Sequence, residues 1–192
     1  MNNFTDRQKQ IIQVSLDLIA NLGIHGLTIK NISRKIGITE PAIYRHFDSK
    51  ADILMGVISK VKESSGVDLF SIEDKKLTTI NLILKAFTTR AKRFTNNPSI
   101  AAVIFSEAIF ENDSVLSGVI ISIMEESHMR MVKIIKTGQS KGEIIDFIEA
   151  EQLALMIIGA FRLLVTKWHM SKNSFDLEVH TEKLVKAFER LI

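Results

Sequence analysis

Residues 27–54 read LTIKNISRKIGITEPAIYRHFDSKADIL, and this stretch decides the fold. Thr28 can cap a helix whose apolar positions are Ile29, Ile32 and Ile36. Gly37 can take a positive φ and end that helix without steric cost. Two residues on, Thr39 can cap a second, short helix, in which Pro41 is tolerated because it falls in the first turn. Ile43 and Phe47, four apart, give that helix one buried face. Helix, glycine turn, helix is the layout of a helix-turn-helix. Thr39, Glu40, Ala42, Tyr44, Arg45 and His46 are left outside as a mostly polar and basic surface.

On the N-terminal side, Ile12, Leu16, Ile19 and Ala20 recur at three- and four-residue spacing. They predict an amphipathic helix over 6–22, preceded by a loose arm and ended by Gly23 and a turn through Gly26. Leu27, Ile29, Ile32, Ile38, Ile43 and Phe47 can close a small core over it. On the C-terminal side, Ser49 and Asp52 form a capping-box pattern that opens a helix running to about Gly66. Its expected buried stripe is Ile53, Leu54, Val57, Ile58 and Val61. A connector follows over 66–74. Further helices are predicted over 75–97, 99–110, 113–140, 149–172 and 176–192, with Asn112-Asp113 as a cap and Gly138 and Gly142 as the end of the third. Leu77, Ile80, Leu84, Phe87, Ala91 and Phe94 mark the inner face of the first of these. Leu116, Val119, Ile120, Ile123, Met124, Met131 and Ile135 mark that of the longest. The expectation is an all-α chain of about nine helices.

Composition narrows the classes. The 192 residues are 46% hydrophobic, with two prolines and no cysteine. A sizeable core is possible, a disulfide framework is not, and long helices fit better than sheet. No charged-then-apolar leader opens the chain, and runs such as Val119–Ile121 and Leu155–Ile158 fall short of a bilayer span. The expectation is a cytoplasmic protein without membrane contact. Charge is placed unevenly: residues 1–66 carry nine Lys and Arg against six Asp and Glu, and residues 67–192 carry sixteen of each. The surplus sits with the helix-turn-helix, as a polyanion partner requires.

The segment 149–172 is apolar nearly all round. Such a helix is covered on both sides, either wholly within its own subunit or partly by a second copy. Because helix-turn-helix readers act as dimers on paired half-sites, Phe161, Leu164 and Trp168, with Leu184 and Phe188 of the last helix, are the expected dimer contacts. Five of the seven methionines lie between 124 and 170. Met124 and Met131, with Phe87, Phe105 and Phe161, are candidates for an adaptable apolar pocket. Met129, Met156, Met170 and Trp168 belong to the same soft set. Arg90, Glu107, His128 and Arg162 can orient a ligand, and of these Arg90 and His128 join the candidate ligand-binding set.

Thr28, Ile32, Gly37, Ile38-Thr39, Ile43-Tyr44, His46-Phe47 and Ser49-Lys50, in order and without gaps, resemble the TetR family of bacterial transcriptional regulators. The resemblance covers roughly residues 6–60; Ser33 and Ile36 depart from it, standing where alanine is common. It implies a helix-turn-helix domain over 1–50 and a ligand-binding and dimerisation domain over 51–192, dimerising through the last two helices. It also implies that a small molecule weakens DNA binding. Thr28, Tyr44 and Lys50 match the family's phosphate contacts, and Thr39, Glu40, Ala42 and Arg45 its surface toward the major groove.

Physical chemistry agrees with these roles. Thr28 and Lys50 start helices, where free N–H groups favour phosphate. Arg45 can hold a guanine bidentately or a phosphate. His46 can donate to phosphate or pack. Lys30 belongs to a basic face with Arg34 and Lys35. The expected function is a ligand-responsive repressor that binds a palindromic operator in double-stranded DNA as a homodimer, with an apolar small-molecule effector and no cofactor or metal. An effectorless, nucleoid-organising binder of the same fold is the alternative. A di-iron carboxylate bundle is more distant: Glu125 and His128 make one Glu-x-x-His, but no second copy follows.

Overall fold

A computed structural model describes residues 4–64, 77–105 and 114–191 of the chain. Among these are nine α-helices and one 3-10 turn, and no strand. In chain order the helices are α1 (Asp6–Leu22), α2 (Ile29–Ile36), α3 (Glu40–Tyr44), α4 (Lys50–Ser64), α5 (Thr79–Asn96), α6 (Pro98–Ile104), α7 (Ser114–Ser140), α8 (Ala150–Met170) and α9 (Leu177–Glu189). The expected connector over 66–74, Glu107 and the cap at Asn112-Asp113 lie outside the described residues.

The ends of α1 to α4 are written in the local sequence. Thr5 and Gln8 form a reciprocal capping box at the start of α1, and Phe4 rests against Phe47 with ring centroids 6.5 Å apart. The end of the expected loose arm is therefore anchored. Thr28 Oγ1 accepts the Asn31 N–H at 3.1 Å. Gly37 ends α2 in the left-handed region at φ 81°. Ser49 Oγ accepts the Asp52 N–H at 3.1 Å and donates to its carboxylate at 2.8 Å. Thr39 departs from expectation: it holds the N-cap position of α3, but its side chain makes no capping hydrogen bond. Its hydroxyl stays available on the outer surface.

Ile11, Ile12, Leu16 and Ile19 of α1, Leu27, Ile32, Ile43, Phe47, and Ile53 and Val57 of α4 are all buried in one cluster. Ser15 joins the stripe because its hydroxyl donates to the Ile11 carbonyl at 2.7 Å. Gly56 brings α4 so near α1 that a Cβ would stand 2.9 Å from the Ile12 side chain. Of the two departures from the family pattern, Ser33 is buried and donates to the Lys30 carbonyl at 3.0 Å, and Ile36 is half-buried.

The second half packs α5, α6, α7, α8 and α9 into a bundle around Phe87, Phe94, Ile123, Met131, Ile135, Ile157 and Phe161. Phe87 and Phe161 stack with centroids 4.4 Å apart. Gly142, at φ 70°, closes the turn after α7. Gly138 does not end α7 as its position suggested. It lies inside the helix, where a Cβ would come within 2.7 Å of Thr79 Oγ1. Thr79 cannot yield, because it is buried and the Glu143 carboxylate accepts from its N–H and its hydroxyl, each at 2.7 Å. These two bonds hold the Glu143 carboxyl below its ordinary pKa. Gly138→Ala is expected to lower stability by about 1–3 kcal/mol, as overpacking does, measured as a shift in urea midpoint at unchanged m-value.

α8 is the described helix long and apolar enough, by length and composition, to cross a membrane. Counting unbroken apolar runs missed this because isolated polar residues interrupt the stretch. One face of α8, through Leu153, Ala154, Ile157, Phe161, Val165 and Trp168, is buried against its own subunit, which is the arrangement of a core helix. The opposite face exposes Leu155, Met156, Leu163 and Met170. This corrects the expected dimer contacts: Phe161 and Trp168 are each only 2% exposed within the single subunit, so neither is available to a second copy. Leu164, Leu184 and Phe188 are half-buried and packed against the same core.

Candidate functional site

The helix-turn-helix presents one face to solvent. Lys30, Arg34, Lys35, Thr39, Glu40, Tyr44, Arg45 and Lys50 are exposed, while Thr28, Ala42 and His46 are half-buried. Tyr44 is 50% exposed, so its side chain is open to solvent on this face. Among the described residues, no carboxylate lies within ion-pair range of Lys30, Arg34, Lys35, Arg45 or Lys50. Their charges are free to meet phosphate. α3 is steadied from behind: Gln8 of α1 donates to the His46 carbonyl at 3.0 Å. The same rigid group of helices therefore carries Thr28 and Lys50, at the starts of α2 and α4, on either side of α3.

The second site is a cavity of about 280 Å³ between α5, α6, α7 and α8. Five of the seven expected ligand-binding residues line it: Arg90, Phe105, Met124, His128 and Phe161. Phe87 and Met131 do not. Phe87 stands behind Phe161 in the stacked pair, and Met131 is wholly buried one turn further along α7. Met129, Met156 and Met170 are exposed on the outside of the bundle, and Trp168 is in the core. Phe94, Ile104, Ile123, Ser127, Leu155 and Ile158 complete the wall with Glu125 and Arg162. A signal for Phe94 and Ile123 was present, since each lies on an expected apolar stripe, and Ile158 lies in the segment read as apolar all round, but nothing in one helix says which side meets a void.

Three basic side chains converge on the cavity. Arg90 is 8% exposed and donates to the Ser127 hydroxyl at 3.1 Å. The Arg162 guanidinium lies 5.6 Å over the Phe105 ring and 3.7 Å from the Met124 sulfur. His128 approaches the Glu151 carbonyl at 3.3 Å through Nε2; this contact needs a proton on Nε2, so that nitrogen is not presented as a metal ligand. Glu125 is exposed. Among the described residues no group of three His, Cys, Asp or Glu comes together to hold a metal ion, so the lone Glu-x-x-His has no completing ligands there. A mainly apolar chamber that sets three basic side chains against one exposed carboxylate can take an amphiphilic anion: its chain against Ile104, Ile123 and Phe161, its acidic end toward the guanidinium groups.

Residues 11–57 match the model of bacterial regulatory proteins of the tetR family, and residues 55–191 match that of the YsiA-like protein C-terminal region. The nucleoid occlusion factor SlmA of Aliivibrio fischeri is 31% identical over 169 residues, spanning 81% of this chain and 82% of the relative. Among solved structures, the fatty acid degradation regulator FadR from Bacillus halodurans aligns with a TM-score of 0.79 at 20% identity, over 98% of this chain and 97% of that one. The transcriptional regulator FadR from Bacillus subtilis in complex with stearoyl-CoA aligns with a TM-score of 0.73 at 23% identity, over 93% and 95%.

Proposed function

The chain belongs to the tetR family of bacterial regulatory proteins, and from that premise we propose a homodimeric cytoplasmic repressor that releases a palindromic operator when an amphiphilic anion with a long apolar chain fills the cavity. The observation that carries this reading is the joint placement of Arg90, His128 and Arg162 on a mainly apolar chamber, whose other polar side chains are Ser127 and the exposed Glu125. The fold's likeness to a FadR described with stearoyl-CoA supports the same ligand chemistry. Residues 1–50 would form the DNA-binding domain and residues 51–192 the effector and dimerisation domain, with α4 packed on α1 and reaching α6 and α7. Effector action is a population shift: the ligand acts only through its higher affinity for the state that fits DNA poorly.

The test is titration of stearoyl-CoA into the protein bound to a genomic site found by footprinting. Release of DNA and a raised melting temperature are expected, and Arg162→Leu should weaken the effect about tenfold, as loss of one charge-assisted contact of about 1.4 kcal/mol does. Stearoyl-CoA that moves neither quantity would overturn the ligand assignment.

On the DNA side, Thr28, Tyr44, His46, Lys30 and Lys50 would hold phosphates, and Thr39, Glu40, Ala42 and Arg45 would face the bases. Lys50→Ala is expected to weaken binding to all sequences alike and to lower the slope of log K against log salt by about one per half-site. An unchanged slope in a salt titration would remove Lys50 from the phosphate set.

A second reading has its own support. The identity to SlmA, a nucleoid occlusion factor, over four fifths of the chain favours an effectorless DNA binder. Scattered genomic sites and a melting temperature indifferent to acyl-CoA would select it.

A further inference from the structure

Two polar side chains of α1 meet two at the corner between α5 and α6. Asn97 Nδ2 donates to Gln13 Oε1 at 2.7 Å, and Gln13 Nε2 returns to Asn97 Oδ1 at 3.3 Å. Ser99 Oγ donates to Asp17 Oδ1 at 2.6 Å, and Gln13 Nε2 also reaches Asp17 Oδ1 at 3.0 Å. More than eighty residues separate the partners in sequence. All four side chains are half-buried, so water competes only partly for these bonds.

α6 connects this cluster to the cavity. Asn97 holds its N-cap position without a side-chain capping bond, and Ile104 and Phe105 at its end form part of the cavity wall. Phe105 is held edge-on to Phe94, with centroids 5.8 Å apart, and lies under Arg162. Seven helical residues make a strut about 10 Å long that cannot stretch. Its middle, Ile100, Ala101, Ala102 and Val103, is buried and packs on α1. Apolar contacts through small side chains are non-directional and let one helix slide on another. The amide pair and the Ser99–Asp17 bond are directional, and they add to this packing a fixed register of α6 along α1.

We propose that Gln13, Asp17, Asn97 and Ser99 form a positioning lock that carries occupation of the cavity, through α6, to α1 and the helix-turn-helix; the inference rests on the effector reading above. A ligand that pushes Ile104 and Phe105 moves the whole strut. With the lock closed, α1 follows, and α3 follows α1 through the Gln8 bond to His46. With the lock open, α6 slides on α1, and its contact with α4 passes on what remains of the movement.

The chain has no cysteine, so Lys35→Cys with Met129→Cys, both exposed, places one spin label on each side of the lock. Electron–electron distance measurements are made with stearoyl-CoA, and separately with the cavity filled by Ile158→Trp. Each is done in the otherwise native chain and in Asn97→Ala/Ser99→Ala, with circular dichroism reporting the fold. A shift of about 1–2 Å or more is expected in the native chain, and most of it should vanish in the lock variant. Gln13→Ala/Asp17→Ala, from the α1 side, must give the same loss, and it decides the matter if the first variant does not fold. Equal shifts with and without the lock, or no shift from either form of cavity filling, overturn the proposal. A lock-dependent shift from Ile158→Trp alongside inert stearoyl-CoA upholds the lock and rejects the ligand.

Discussion

Leu155→Glu combined with Leu163→Glu is expected to give a folded monomer whose operator affinity has fallen by about a hundredfold or more. Both leucines are 61% exposed on the subunit, so the substitutions spare the buried core; Leu155 also borders the cavity, and Leu163→Glu by itself, away from that wall, must shift the dimer in the same direction. The two substitutions charge the outer face of α8, where Met156 and the open side of Gly159 complete an apolar strip. An exposed strip of this kind on the penultimate helix is the surface a second copy would cover. Two half-sites joined in one dimer gain about 10²–10⁴ in avidity over a single one, and a monomer forfeits that gain. Sedimentation velocity and operator titration read the two effects. A variant that sediments as the dimer would place the interface elsewhere.

Phe161→Ala, on the opposite face of the same helix, is expected to cost about 3–5 kcal/mol of stability. Phe161 is 2% exposed and stacks on Phe87, which is wholly buried. The loss combines buried ring area with a stacking contribution of about 0.5–1.5 kcal/mol, and the void it leaves joins the existing cavity. The melting temperature should fall by roughly 10 °C, measured by circular dichroism. A cost below about 1 kcal/mol would mean the site collapses around the missing ring. The two predictions read the same helix from its two sides: one set of substitutions separates subunits and keeps the fold, the other does the reverse.

That division of α8 is where the sequence is least legible. Apolar residues all round a helix give no phase, so Phe161 and Trp168 were as plausible outward as Leu155 and Leu163. Size misleads further, because large aromatics suggest an interface as readily as a core. The helix-turn-helix was legible for the opposite reason. Its caps and turn are settled within a few residues: Thr28 on Asn31, Ser49 on Asp52, Gly37 by its φ. Gly138 misled because a glycine near a helix end has two causes, a stop or a close approach. The approach, by Thr79, comes from about sixty residues away. Arg90 was legible as unusual, being a charge in phase with Phe87 and Phe94, but its Ser127 partner sits on another helix. His128 and Arg162 were visible as polar breaks in apolar segments; that they meet Arg90 at one cavity is a fact of packing.

The brevity of α3 has a consequence for how much information the protein extracts from DNA. Of the side chains on or flanking its five residues, Arg45 is the one able to grip a guanine bidentately. Such a contact separates right from wrong base by about 1–3 kcal/mol, so two half-sites supply roughly 2–6. Telling an operator from bulk DNA takes about 4–10 kcal/mol. Thr39, Glu40 and Ala42 would add smaller contacts, and the rest would come from how readily a sequence bends to the protein and from the fixed separation of its two halves. On the proposed reading, the operator's distinguishing mark would be the spacing and pliability of its halves as much as the letters within each.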